Sequence, residues 1–279
     1  MLRNDTIALA LIHNNNEERN ARIRPSLSKL TAECEFISSL VIDISYQSAV
    51  YPHSNRMAFT KDAMYKNLSR KWRRYRLDST TWLPRDILRF TKKSIRRYIF
   101  DKKKDRETWK KLSPIEVAVT DKHIRAWSAF LDTDADYLLC FEDDAVFKQD
   151  SIPRLADLND ILDQHKNDRI YIDLAGGCSQ AALKISKLEI NHDGVFRHYS
   201  KPATNSACVY LMSRSVVQQF NGILAQKPWL RLMAVDLMMN QLFTIMEHYG
   251  IKTKCMHADP TIFNHGSTTG ECTSWFPGH

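Results

Sequence analysis

Glycine and proline are scarce in this chain, with 8 and 9 among its 279 residues. That scarcity excludes collagen-like repeats and Gly/Pro-rich low-complexity classes. The 6 cysteines include no CxxC pair, so the spacing of zinc ribbons and dithiol motifs is missing. Cys34, Cys140, Cys178, Cys208, Cys255 and Cys272 are scattered, several of them in apolar strand-like runs. Reduced core thiols are therefore expected, rather than disulfides or zinc ligands. No apolar run approaches the roughly 20 residues of a membrane-spanning helix. A signal segment is not expected, since Asn4 and Asp5 precede a short IALALI and polar residues follow at once. A cytoplasmic location is the expectation. No internal repeat is present.

What the chain does contain is a globular composition, 43% apolar and 10% aromatic. Its length suits one α/β domain carrying a sizeable insertion. The net charge of +8 is concentrated: 17 Lys or Arg stand against 5 Asp or Glu between Arg70 and Lys111. That stretch carries +12, which leaves about −4 for the remainder. It includes SRKWRRYR (69–76) and LPRDILRFTKKSIRRYIFDKKKD (83–105). In the second, Leu88, Thr91, Ile95, Tyr98 and Ile99 follow a helical period, and Arg89, Lys92, Lys93, Arg96 and Arg97 take much of the other face. Pro84 fits the first turn of such a helix. The expectation is a basic, largely helical insertion over 52–112. Its cations and aromatics suit an anionic membrane surface or a phosphate-bearing acceptor. A solvated surface helix packed on the domain is the competing reading. Nucleic acid is not expected, because no recognisable nucleic-acid motif accompanies the charge.

The rest alternates between strand-like and helix-like segments. TIALALI (6–12) and CEFISSLVIDIS (34–45) read as strands flanking a helix that runs to about Leu30. A helix is predicted from Ser113 to Leu131, opened by the capping box Ser113–Glu116. The segments 151–165, 215–226 and 234–250 read as helices, the last closed by Gly250. Strands are predicted at 137–141, 169–177, 203–213 and 251–260. The strand at 137–141 ends in FEDDAVF, where Glu142, Asp143 and Asp144 leave an apolar run side by side. Adjacent carboxylates repel, and each is costly to desolvate without a partner. A cation or a set of donors is needed to hold them there. Oxygen ligands favour Mn²⁺ or Mg²⁺ over zinc, which would recruit Cys or more His.

These motifs resemble glycosyltransferase family 25, the lipopolysaccharide-biosynthesis glycosyltransferases that also include collagen galactosyltransferase domains. That family shows Gly-Glu-Ile-Gly, then Ser-His-x-x-x-Trp on a helix, then an apolar strand ending in Glu-Asp-Asp. Here Glu116 and His123 keep the seven-residue separation, Trp127 follows, and FEDDAVF arrives in register. NSACVYLMSRSVVQQF, AVDLMM and ADPTIFNHGS resemble its later segments, and ALIHNNNEERNARI its opening strand and turn. Lys122 stands where the family usually has Ser, Asn20 where it has a second Arg, and the glycines flanking Glu116 are absent.

The resemblance implies a GT-A, Rossmann-like nucleotide-sugar fold with a mixed central sheet, as a single domain over 1–279. It implies inverting transfer of a galactose-type sugar from a UDP-sugar to a lipopolysaccharide, capsule or other cell-surface glycan. The enzyme would work at the inner face of the bacterial inner membrane. By similarity, Asp144 would bind a divalent metal, with His265 as a further ligand, and Glu142 or Asp143 would contact ribose or sugar hydroxyls. His123 matches the motif, although a core histidine suits its apolar helix face equally. Glu116 is either a donor contact or only a capping-box member. Arg19 and Arg22 could bind diphosphate through charge-assisted hydrogen bonds, or simply solvate a helix start. Asp173, before Gly176–Gly177, ends a strand where open α/β sheets place ligand contacts; the glycines could also be only a turn. Asp236 matches the family's Val-Asp and would be the general base, against an N-cap reading. Two other classes remain open: a metal-dependent phosphohydrolase or nuclease, and a non-catalytic membrane-associated binding protein.

Overall fold

Strands buried on both faces need apolar residues at every position, not at alternate ones. IALALI, YLLCFE and VYLMS meet that requirement. In the computed structural model, which describes residues 6–45, 118–177, 188–227, 230–231 and 233–272, they form the centre of one sheet. The basic insertion predicted over 52–112, and Glu116, lie outside the described residues.

The chain runs β1 (Ile7–Ile12), α1 (Glu17–Glu33) and β2 (Ile37–Ile44), then α2 over 118–131 and β3 (Tyr137–Glu142). Next come β4 (Ala145–Phe147), α3 (Ser151–Ala156), α4 (Leu158–Gln164) and β5 (Ile170–Asp173). A hairpin of β6 (Glu189–His192) and β7 (Phe196–Tyr199) follows, then β8 (Val209–Ser213), α5 (Arg214–Gln226) and α6 (Val235–His248). The C-terminal elements are β9 (Lys254–Ala258), β10 (Phe263–His265) and the short α7 (Gly266–Thr269).

Eight strands form a mixed sheet in the order β2-β1-β3-β8-β5-β9-β7-β6, and β10 pairs with β4 in a second, two-stranded sheet. β1 is parallel to β2 and β3, whereas β8 runs antiparallel between β3 and β5. Side chains alternate across the sheet. On one face Ala8, Ala10, Leu138, Cys140, Tyr210 and Met212 meet α2, α5 and α6 through Trp127, Phe220 and Phe243. On the other, Ile7, Leu9, Leu11, Leu139, Phe141 and Leu211 meet α1, α3 and α4 through Ile23, Leu27, Leu155 and Leu162. Each Leu, Ile, Phe or Met among them contributes roughly 1.5–3 kcal/mol on burial. Two apolar faces around one sheet give the three-layer arrangement of α/β domains.

The registers bring many chain crossings to a single sheet edge. Glu142 pairs with Ile12 at the ends of β3 and β1, and Phe141 pairs with Val209 at the start of β8. Asp173 ends β5 opposite Tyr210 and His257. Ligands of open α/β sheets collect at such carboxyl ends.

The structure corrects several sequence expectations. The helix predicted over 151–165 is two helices, interrupted at Asp157. The strand predicted over 203–213 begins only at Val209, because 203–207 forms a loop at the sheet edge. The strand predicted over 169–177 ends at Asp173, where its side chain turns back onto the following backbone. Gly250 closes α6 with φ +73°, as predicted.

Candidate active site

The acidic triplet is separated by the fold. Glu142 is the last residue of β3, and Asp143 and Asp144 form the turn into β4. β4 pairs antiparallel with β10, setting His265 opposite Ala145 and so beside Asp144. His265 Nε2 lies 3.2 Å from Asp144 Oδ2, and Ser267 Oγ donates to the same oxygen. The Asp144 backbone carbonyl accepts from Gly266 N at 2.9 Å. Burial would push the Asp144 carboxyl up, but hydrogen bonds from His265 and Ser267 and the His265 charge hold it down at about 2. Burial likewise opposes the His265 cation, yet the Asp144 carboxylate raises its pKa above the ordinary value. Both shifts favour the charged forms of the pair. His265 Nδ1 is buried without a hydrogen-bond partner. On the opposite side Cys208 Sγ, at the loop entering β8, lies 3.6 Å from Asp144 Oδ1. Among the described residues, Asp144, Cys208 and His265 place one ligand atom each within 4.8 Å of the others.

Asp143 is buried and turned the other way, into the β1–α1 turn. It accepts from Arg19 Nη1 at 2.6 Å and from Asn14 N at 3.0 Å. The Asn16 side chain caps α1 by accepting from Arg19 N at 2.9 Å, which sets the guanidinium under the triplet. Asn15 holds φ +56°, a left-handed conformation that Asn tolerates. Lys122, buried on α2, donates to His13 O at 3.0 Å and to Asn14 Oδ1. Desolvation lowers its pKa to about 8 despite the carboxylates of Glu142 and Asp143. A lysine in the position where the family usually has serine thus fixes the same turn.

Glu142 is partly exposed and meets His123, whose Nε2 is 2.9 Å from Glu142 Oε1. His123 Nδ1 is 2.8 Å from Tyr210 OH, which also accepts from Trp127 Nε1 at 2.9 Å. His123 is thus fully buried like a core histidine, while its Nε2 reaches the partly exposed Glu142. Its position explains the motif spacing: one helical turn separates His123 from Trp127, and both reach the same tyrosine.

A cleft of about 440 Å³ adjoins Asp144, lined by Asp173, Gly176, Gly177, Asn205, Thr261 and His265 among others. Asp173 itself is buried. It accepts from Gly176 N at 2.8 Å, Asn205 N at 3.0 Å and Ser206 N at 3.3 Å, and so shapes both loops of the wall. A Cβ at Gly177 would stand 2.7 Å from Ser206 Cβ and 3.2 Å from His265 Nδ1, so this glycine is required by close approach. The pair is more than a turn.

Arg22 reaches the C-terminal segment, donating to Cys272 Sγ at 2.6 Å and to Glu271 O at 3.2 Å. Asp236 is half-buried in the first turn of α6, behind an N-cap formed by Ala234, not by Asp236. Its carbonyl accepts from Asn240 Nδ2 at 2.6 Å, and Asn240 Oδ1 accepts from Thr204 N at 3.2 Å. The α6 start is thereby braced against the loop that supplies Asn205 to the cleft. The structure joins Arg19, His123, Glu142, Asp143, Asp144, Asp173 and His265 at one sheet edge; it brings Arg22 to the C-terminal segment and ties the helix of Asp236 to the cleft wall. Cys208, Tyr210 and Ser267 belong to this site but do not stand out in the sequence, and Lys122 stands out there only as a departure from the family's serine; each acquires its role through a partner distant in the chain.

A mixed, helix-flanked sheet with an acidic strand end beside a polar cleft is a Rossmann-like arrangement of the GT-A kind. The profile of Glycosyltransferase family 25 (LPS biosynthesis protein) matches residues 13–239, and the chain belongs to that family. It is a glycosyltransferase of lipopolysaccharide biosynthesis. A comparison with curated proteins finds no match.

Proposed function

We propose that this glycosyltransferase carries out metal-dependent, inverting transfer of a galactose-type sugar from a UDP-sugar to a lipopolysaccharide, capsule or other cell-surface glycan. The observation that carries this reading is the pairing of Asp144 with His265, which lines the cleft. Their ligand atoms stand 3.2 Å apart, close to the roughly 3 Å between adjacent corners of an octahedron with bonds of about 2.1 Å. With an ionised carboxylate and the imidazole Nε2 beside it, these residues fit a divalent cation such as Mn²⁺ or Mg²⁺. Such a cation supplies Lewis-acid stabilisation of the charge that builds on the leaving diphosphate.

The remaining work falls to the chain's own groups. Glu142, held by His123, presents a carboxylate oxygen to donor hydroxyls. Arg19 neutralises Asp143 beneath the donor and keeps positive charge near the diphosphate. The Asp173-ordered loops wall the cleft where the acceptor enters. Asp236 accepts the proton of the attacking acceptor hydroxyl. The basic stretch 70–111 holds the enzyme on the anionic inner face of the membrane, near a glycolipid acceptor. The nuclease or phosphatase alternative has less support, since the metal-capable group contains one carboxylate rather than several.

A melting-temperature panel of UDP-, GDP-, CMP- and dTDP-sugars, with and without Mn²⁺, tests the reading. UDP-sugars should stabilise the protein, and only when Mn²⁺ is present. Equal stabilisation without metal, or selection of another nucleotide, would overturn it.

A further inference from the structure

The metal-capable group has a member that the proposed Mn²⁺ or Mg²⁺ chemistry leaves unused. Cys208 Sγ faces one oxygen of Asp144 at 3.6 Å while His265 Nε2 faces the other at 3.2 Å. All three ligand atoms lie within 4.8 Å of one another. A tetrahedral zinc ion takes sulfur at about 2.3 Å and nitrogen or oxygen at about 2.0–2.2 Å. Those bonds set the S···O edge at about 3.6 Å and the N···O edge at about 3.3 Å. The two observed separations are of that size but run to different oxygens of Asp144, so one carboxylate oxygen must turn to face both the sulfur and the nitrogen when the ion binds. The residues come from three separate strand ends, which is why no CxxC-like spacing announces them in the sequence.

We infer that Asp144, Cys208 and His265 form a site for a thiophilic cation, Zn²⁺ by its chemistry, and that Zn²⁺ competes there with the cation supporting transfer. This deepens the metal part of the proposed function and rests on it for the competition, though not for binding itself. Three protein ligands leave a fourth position open, as in exchangeable rather than closed structural zinc sites. Zinc exceeds Mn²⁺ in affinity for N, O and S donors generally, and a thiolate widens that preference. As the Zn–S bond forms, the Cys208 thiol releases its proton to solvent, so one proton leaves for each ion bound. The ion must also displace Ser267 Oγ from Asp144 Oδ2.

The experiment uses the full chain stripped of metal, titrated with Co²⁺ as a spectroscopic stand-in for zinc. One equivalent should produce a near-ultraviolet sulfur-to-cobalt charge-transfer band, which stoichiometric Zn²⁺ then abolishes. Cys208→Ser should lose the band, whereas Cys272→Ser, altering the other thiol near Asp144, should keep it. In Mn²⁺-supported transfer, Zn²⁺ should inhibit the wild type at concentrations at least tenfold lower than Cys208→Ser. X-ray absorption at the zinc edge of the wild-type protein is independent of any variant. It should show one sulfur at about 2.3 Å. A shell of nitrogen and oxygen alone, or a cobalt band that survives Cys208→Ser, overturns the inference. Inactivity with Mn²⁺ alongside an intact sulfur band would instead sink the metal-dependent transfer and leave this site standing.

Discussion

Three adjacent carboxylates are tolerable here because each has its own nitrogen partner: Glu142 faces His123, Asp143 faces Arg19 and Asp144 faces His265. Sequence repulsion alone suggests that Asp144→Asn would leave the melting temperature unchanged or raise it. The His265 pair reverses that expectation, since the variant leaves a raised-pKa imidazolium without its anion. Asp144→Asn should abolish metal-dependent transfer and also lower the melting temperature at neutral pH. The pH signs follow. The depressed Asp144 pKa gives stability that is full above its ordinary 3.8 and lost as pH falls toward about 2. The raised His265 pKa gives stability that is full below its ordinary 6.5 and lost as pH rises through the raised value. Metal must displace the His265 proton, so Mn²⁺ affinity measured by calorimetry should rise with pH across that same titration. Affinity independent of pH would remove His265 from the ligand set. Lys122 has the opposite linkage to His265. Its folded pKa near 8 lies below the ordinary 10.5, so the unfolded chain holds the proton more tightly and stability increases as pH climbs between those values. Lys122→Met should flatten that rise in a series of denaturation midpoints; an unchanged slope would show that Lys122 is not its source.

At the scale of elements, long apolar runs identify β1, β3 and β8 from sequence, because continuous burial is written into composition, whereas apolar residues at helical spacing identify α1, α5 and α6. The strands that escape notice are short or polar. β6 is an edge strand with Ile190 exposed, and its hairpin is signalled only by Asp193–Gly194, where Asp193 Oδ1 accepts from Val195 N and Phe196 N. β4 and β10 have three residues each, and their pairing is a long-range fact that no local pattern encodes. The candidate site divides in the same way. The triplet, His123 and Asp173 are legible through motif and strand ends, whereas Cys208 and Lys122 acquire meaning only once strands and helices pack. Asp236 depends on an element, since α6 is tied to the cleft loop through Asn240 and Thr204. Asp236→Asn keeps that backbone bond and removes only the proton acceptor. It should lower kcat by roughly 10²–10⁴ with donor affinity nearly unchanged, and the pH–rate profile should lose its acidic limb. Asn240→Ala should instead cost about 1–3 kcal/mol of stability, because buried partners lose their hydrogen bonds, and should perturb kcat and KM together. A retained anomeric configuration in the product, or an Asp236→Asn variant that loses donor binding instead of turnover, would take Asp236 out of the base role.

For the whole molecule, the charge is divided between two regions with different tasks. The 70–111 stretch holds +12 of a total of +8, so everything else is slightly acidic. An acidic body would be repelled weakly by an anionic bilayer, and it carries a site whose own cations are already paired with carboxylates. Attraction to a membrane must therefore come from the basic stretch, at about 1 kcal/mol for each Lys or Arg near the surface. Among the described residues no helix is long and apolar enough to cross a membrane, so within them attachment of that kind cannot substitute. Replacing Arg89, Lys92, Lys93, Arg96 and Arg97 with Gln removes five positive charges from that stretch. The variant should be released from liposomes containing anionic lipid, while keeping its melting temperature and its activity on a short soluble acceptor. Because exposed charges are screened within about 10 Å at 0.1 M salt, wild-type cosedimentation with the same liposomes should itself weaken between roughly 50 and 500 mM salt. Salt-independent binding would point to apolar insertion instead. Loss of folding in the Gln variant would mean that the stretch packs against the domain, and its charge would then belong to a solvated face rather than to the membrane.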